Sequence, residues 1–151
     1  IPAWFKPIAY AIILLRAVGT PCVFYGDYYG IPHNGVLPVE GLKTLLKIRQ
    51  LYAYGEEKLY FDDRDIVGFT RSGDQSHPNS GIAVLLNDSL GGKKRLYMGS
   101  KFVGCKMIDA MGKILNTVEI DTNGWGEFLV NGGSLSVWVT EPAYEYLYIE
   151  E

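Results

Sequence analysis

Asp62, Asp63 and Asp65 crowd into YFDDRD (60–65), and Asp88 stands in LLNDSLGG (85–92), directly after an apolar run. Carboxylates bunched in irregular segments suit a hard cation such as calcium, which takes oxygen ligands from side chains and backbone carbonyls. The same residues are ordinary choices for solvated turns at strand ends. Spacing alone leaves both readings open. A second candidate is PCVFYGDYYG (21–30), where Phe24, Tyr25, Tyr28 and Tyr29 surround Gly26 and Asp27. Aromatic faces beside a carboxylate suit a sugar ring, but a loop tied down by Asp27 capping backbone N–H groups gives the same pattern. Trp125 in NGWGEF and Trp138 could likewise stack on a sugar or pack at a sheet edge, and Trp138 is expected on the outer surface because it alternates with Leu135 and Val137. His33 and His77 lie in Gly/Pro/Asn loops without a partner pattern and read as surface residues.

The elements that must position these residues fall into two regions. Net charge is 14 − 17 = −3 with no basic block, which excludes the electrostatic footprint of a nucleic-acid binder. No apolar run is long enough to span a bilayer, so no membrane partner is expected. The two cysteines, Cys22 and Cys105, fall in different regions and are expected to be buried free thiols. The chain opens on IPAWFKP without a Met, which fits a cleaved product or a piece of a longer chain.

Residues 1–55 read helix, strand, helix. Residues 4–18 are apolar apart from Lys6 and Arg16, with Pro7 in the first turn and Gly19 as the C-terminal cap, and an all-round apolar helix is a buried one. Residues 20–25 are a short β-branched and aromatic run, and 39–54 carry Leu42, Leu45, Leu46, Leu51 and Tyr52 on one stripe. One strand between two helices cannot close a core, so this region reads as the last part of a larger α/β domain. Residues 56–140 switch to period two, with strands expected at 58–61, 65–71, 81–87, 94–98, 105–109, 117–120, 127–130 and 134–139. FLVNGGSLSVWV reads as a hairpin, with Asn131, Gly132 and Gly133 in the turn and a half-buried strand after it. Short strands at this spacing predict an antiparallel Greek-key sandwich. Residues 141–151 are acidic and aromatic and read as a tail.

Three stretches together, WFKPIAYAIILLRAVGTPCVFYGDYYG, IRQLYAYGEEKLYFDDRDIVGFTRSGD and NGWGEFLVNGGSLSVWV, resemble the bacterial liquefying group of the α-amylase family of glycoside hydrolases. The resemblance runs from about Trp4 to Val139 with the pieces in the same order. It implies that residues 1–55 are the last helix–strand–helix of a (β/α)₈ TIM barrel, and that 56–140 are the all-β antiparallel sandwich that follows. The implied parent is endo-acting on internal α-1,4-glucosidic bonds of starch-like glucans, with retention. The group contains both extracellular and cytoplasmic enzymes, and an extracellular parent is expected ahead of a cytoplasmic one. Its three catalytic carboxylates lie upstream, so none is expected in this chain. Retaining hydrolysis needs two carboxyls about 5–5.5 Å apart, and Asp27 is alone on its loop. Asp27 and Tyr25 are then support for the substrate cleft, and the partners are the α-glucan and an upstream barrel polypeptide. The resemblance also implies a calcium between barrel and sandwich, held here by the carboxylates of Asp65 and Asp88 and the backbone carbonyl of Arg64. The competing class is a non-catalytic carbohydrate-binding or structural sandwich. A related debranching or transglycosylating enzyme is a third reading.

Overall fold

The computed structural model describes residues 1–149. Each of the eight alternating segments forms a strand: β1 (Glu57–Tyr60), β2 (Ile66–Arg71), β3 (Ile82–Asn87), β4 (Gly91–Tyr97), β5 (Lys106–Asp109), β6 (Val118–Glu119), β7 (Trp125–Asn131) and β8 (Ser134–Thr140). They make two antiparallel sheets. One has the order β1-β2-β3-β8-β5-β6, and β4 pairs with β7 in the other. The chain therefore leaves the larger sheet after β3 and after β6, and returns to it at β5 and β8.

The outermost layer is helical, built from α1 (Lys6–Leu15), α3 (Leu42–Leu51) and α4 (Glu141–Ile149), with the single-turn α2 (Tyr25–Tyr29) between the first two. Period two sorts the central strands between two cores. Ile82, Val84 and Leu86 of β3, with Leu135, Val137 and Val139 of β8, pack under α1, α3 and α4. Ala83, Leu85 and Trp138 point the other way, against Leu96 of β4 and Phe128 and Val130 of β7. The six-stranded sheet is thus covered on both faces. That layering corrects the expectation for Trp138, which is 0% exposed rather than on the outer surface. Alternation reports which face a residue takes; whether that face meets water depends on what covers it. Half-burial does hold in β7, where Gly126, Phe128 and Val130 are buried and Glu127 is exposed.

The expected hairpin is not one. β7 and β8 belong to different sheets, and Gly132–Gly133 is a crossing between layers. Gly133 has φ +57, and a Cβ on Gly132 would sit 2.7 Å from the Ser89 carbonyl oxygen, so both glycines serve the crossing.

Residues 20–25 are not a strand, since no ladder among the described residues pairs with them, and a strand exists only beside a neighbour. Nor is α1 buried all round: Ile12 and Ile13 are 37% and 41% exposed while Ile8, Ala11, Leu14 and Leu15 are buried. Pro7 does occupy the first turn, but α1 ends at Leu15 with Arg16 extended, so Gly19 is not its cap. Arginines meet its last carbonyls instead. Arg49 donates to the Leu14 oxygen at 2.7 Å and Arg71 to the Leu15 oxygen at 3.0 Å, with their charge at the negative helix end. Arg16 then forks onto Glu57 at 3.2 and 3.0 Å, and the Ala17 N–H joins it at 2.8 Å.

The expected tail is also corrected. Residues 141–149 are α4, with Ala143 and Leu147 buried in the helical core; residues 150 and 151 lie outside the described part. The Tyr52 hydroxyl donates to the Ala143 oxygen at 3.0 Å, and the Tyr148 hydroxyl to the Ala110 oxygen at 2.5 Å. Both cysteines are free, but Cys22 is exposed and Cys105 half-buried, against the expected burial. The loop that carries Cys22 leaves its thiol outside both cores, whereas Cys105 packs at the edge of the core between the sheets.

Candidate functional site

Asp27 and Tyr25 share α2 but point apart. Tyr25 is 68% exposed and its ring lies 4.6 Å from that of Tyr29, itself exposed, so the two present an aromatic surface. Asp27 is buried and faces α1. Lys6 Nζ donates to its Oδ1 at 2.9 Å and the Tyr10 hydroxyl to its Oδ2 at 2.5 Å. Tyr10 in turn accepts the Phe24 N–H at 3.2 Å. The carboxylate therefore ties the aromatic loop to α1 through side chains, and both of its oxygens are taken. Burial alone would raise its pKa, but the Tyr10 hydroxyl and the Lys6 ammonium outweigh it and hold the carboxyl below its usual range. Burial and the same carboxylate push the Tyr10 phenol up.

A depressed folded-state pKa means that the unfolded chain binds the proton more readily, so Asp27 stabilises the fold above its unfolded value of about 3.9 and stops doing so as pH falls. Asp27→Asn is expected to cost about 1–3 kcal/mol at pH 7. The variant should also be less sensitive to acid than the parent below about pH 4. Urea unfolding at pH 7 and pH 3 measures both; a cost that is the same at the two pH values overturns the assignment.

Arg64, Asp65 and Asp88 do come together, lining one cavity of about 160 Å³ with Asn87 and the apolar Phe5, Ile8 and Ile12. Asn87 organises the approach of the two segments. Its Nδ2 donates to the Asp65 backbone oxygen at 2.5 Å, and its Oδ1 accepts the Ser89 and Gly91 N–H groups at 3.0 and 2.8 Å. Asp62 and Asp63 are otherwise engaged: Lys94 lies 2.8 Å from Asp62, and Asp63 accepts the Asp65 N–H at 2.9 Å. Calcium takes six to eight oxygens. Two carboxylates and a carbonyl fit part of such a shell, and no group of three or more His, Cys, Asp or Glu among the described residues could hold a metal by itself.

Trp125 sits against Tyr97 at 5.4 Å and Tyr60 at 6.4 Å, with Arg95 over its ring at 5.1 Å and Lys58 over Tyr97 at 4.9 Å. His33 is an exposed residue of a single 3₁₀ turn. His77 is partnered, contrary to its unpatterned sequence context: Nδ1 lies 2.7 Å from Asp74 and its ring stacks on Tyr54 at 3.4 Å. The i, i+3 spacing of Asp74 and His77 was the available signal. Nothing local pointed to Lys6 and Tyr10 as partners of Asp27, because the sequence separates them by about twenty residues.

Residues 82–139 match the family described as alpha-amylase C-terminal. An alpha-amylase of Geobacillus stearothermophilus is 50% identical over 137 residues, 90% of this chain and 25% of that protein. A glucan 1,4-alpha-maltohexaosidase of Bacillus sp. (strain 707) is 48% identical over 139 residues, 91% of this chain and 27% of the relative.

The chain matches the C-terminal part of an α-amylase.

It spans about a quarter of the length of these relatives. A crystal structure of an Anoxybacillus alpha-amylase superposes with a TM-score of 0.61 at 16% identity, over 91% of this chain and 32% of that one, which speaks to the fold. No helix among the described residues is long and apolar enough to cross a membrane. The α-amylase match covers the helical layer as well as the sandwich, since the aligned length exceeds the β region. The helices are therefore packed on the sandwich in a chain whose relatives share both parts.

Proposed function

We propose that this chain is the C-terminal portion of an endo-acting α-amylase that cleaves internal α-1,4-glucosidic bonds of starch-like glucans with retention. The observation that carries the reading is near-50% identity to amylases along nine-tenths of the chain. In this reading α1, the extended segment after it and α3 close a (β/α)₈ barrel, and the sandwich shields it. The exposed Trp4, Ile12, Ile13 and Phe24 support it, because such side chains favour an apolar cover. Tyr25 gives the α-glucan an aromatic surface, and the buried Asp27–Tyr10–Lys6 cluster holds that surface against α1. Catalytic carboxylates come from an upstream barrel polypeptide. Calcium is bound by Asp65, Asp88 and the Arg64 carbonyl together with ligands outside the described residues, bridging barrel and sandwich. The parent acts outside the cell.

The experiment is complementation. The chain alone is expected to release no reducing sugar from starch, and the chain mixed with an upstream amylase fragment should hydrolyse it, more slowly after chelation of calcium. Failure of every upstream fragment to restore turnover, with both pieces folded, overturns the reading. The aromatic group around Trp125, flanked by Arg95 and Lys58, favours a second reading: a non-catalytic carbohydrate-binding module. Retardation of the isolated chain in a starch-containing native gel, lost in Trp125→Ala, would select it.

A further inference from the structure

Arg16, Arg49 and Arg71 line one open cavity of about 430 Å³, together with Gln50 and Tyr54, at the C-terminal end of α1. Three guanidiniums in one place need an account. Glu57 takes the charge of Arg16 through the two-pronged contact, leaving 3 − 1 = 2 positive charges. The end of α1 offsets about half a charge more. About one and a half positive charges remain over the cavity.

The donors are also far from exhausted. A guanidinium carries five N–H groups. Arg71 places Nε on the Gly55 oxygen at 3.1 Å and Nη1 on the Leu15 oxygen at 3.0 Å, and Arg49 places Nη1 on the Leu14 oxygen at 2.7 Å. These contacts hold both forks in position while leaving N–H groups of each for another acceptor. Arg71 is 9% exposed, so its orientation is set by the surrounding structure before anything binds. Burial first, and the neighbouring Arg49 charge as well, pull the Arg71 guanidinium below its ordinary pKa against the opposing effect of Glu57. Planar forks fixed in this way match the oxygens of a phosphate.

We propose that this cavity binds a tetrahedral oxyanion: phosphate, either as the free ion or as a small monoester. The site is separate from the Asp27 loop and from the Asp65–Asp88 cavity, and it does not depend on the amylase reading.

Titration calorimetry of the 151-residue chain with inorganic phosphate and with methyl phosphate, at constant ionic strength set by chloride, tests it. Saturable one-to-one binding with a Kd of about 1 mM or tighter is expected. Arg49→Gln keeps an amide donor for the Leu14 oxygen and should weaken binding at least tenfold. Lys93→Gln, which removes a charge of β4 paired with Glu127, should leave it unchanged. Tighter binding of methyl phosphate identifies a monoester as the ligand, and tighter binding of the inorganic ion identifies the free form. Heats no different from chloride, or equal weakening in the two variants, overturn the proposal. If the chain does not hold its fold alone, the same titrations on the longer enzyme that carries it separate the same outcomes.

Discussion

Asp109→Ala is expected to lower the unfolding free energy by about 3–5 kcal/mol, a large share of the roughly 5–15 kcal/mol that holds a domain of this size. The Asp109 carboxylate is 1% exposed and accepts four backbone N–H groups. Oδ1 takes those of Met111 and Val137, both at 3.0 Å, and Oδ2 those of Lys113 and Ile114 at 2.9 and 3.0 Å. One side chain thereby closes the turn after β5 and pins it to β8. Alanine would leave four donors without that acceptor, each costing about 1–3 kcal/mol where water cannot replace it. Asp109→Asn is the sharper variant. Its amide nitrogen would face two N–H donors, so it should lose about 2–4 kcal/mol although its shape is conserved. Burial raises the Asp109 pKa and the four N–H bonds draw it only part of the way back. A raised folded-state value means that this group favours the fold below its unfolded pKa of about 3.9 and less so as pH rises, opposite in sign to Asp27. Urea denaturation of both variants at pH 7 decides; losses under about 0.5 kcal/mol would rule out the turn-closing role.

Trp138→Ala is expected to cost about 3–5 kcal/mol. The indole is fully buried between the sheets, edge-on to Phe128 at 5.5 Å, and its Nε1 donates to Ser136 Oγ at 2.9 Å. Ser136 passes the interaction across the layers by donating to the Leu129 oxygen at 2.7 Å. Removing the indole opens a cavity and takes away the N–H that the Ser136 hydroxyl accepts, while the bond from Ser136 to β7 remains. Trp138→Phe keeps most of the ring volume but loses the N–H, and about 1–2 kcal/mol is expected. An outward-facing tryptophan would give less than about 0.5 kcal/mol on truncation. Thermal or urea unfolding therefore tests the layer order directly.

Local pattern carried far along this chain. Period two located all eight strands, because alternation is a property of the pleat and survives any tertiary arrangement. The apolar runs located α1 and α3 in the same way. α4 was within reach of the same logic: Thr140 stands at its start and accepts the Ala143 N–H at 3.4 Å, Pro142 lies in the first turn, and Ala143 and Leu147 are four apart. The aromatic density of 141–149 obscured that helical signal.

What the sequence determined by itself was therefore the identity of the elements, the face each side chain takes within its element, and the likeness to amylases. The tertiary structure alone decided which faces are covered. Leu135 and Trp138 alternate as any half-buried strand would, yet both are buried, because helices cover one face of the sheet and β4–β7 the other. It also decided the crossing at Gly132–Gly133, which has the residues of a hairpin turn but joins two sheets. The polar clusters were decided there too. Asp27 with Lys6 and Tyr10, Asp109 with the Val137 N–H, and the three arginines around the end of α1 each join residues far apart in the chain. Backbone periodicity is local and can be read along a line. Burial and charge pairing depend on what arrives from elsewhere in the chain, and only the packed layers specify that.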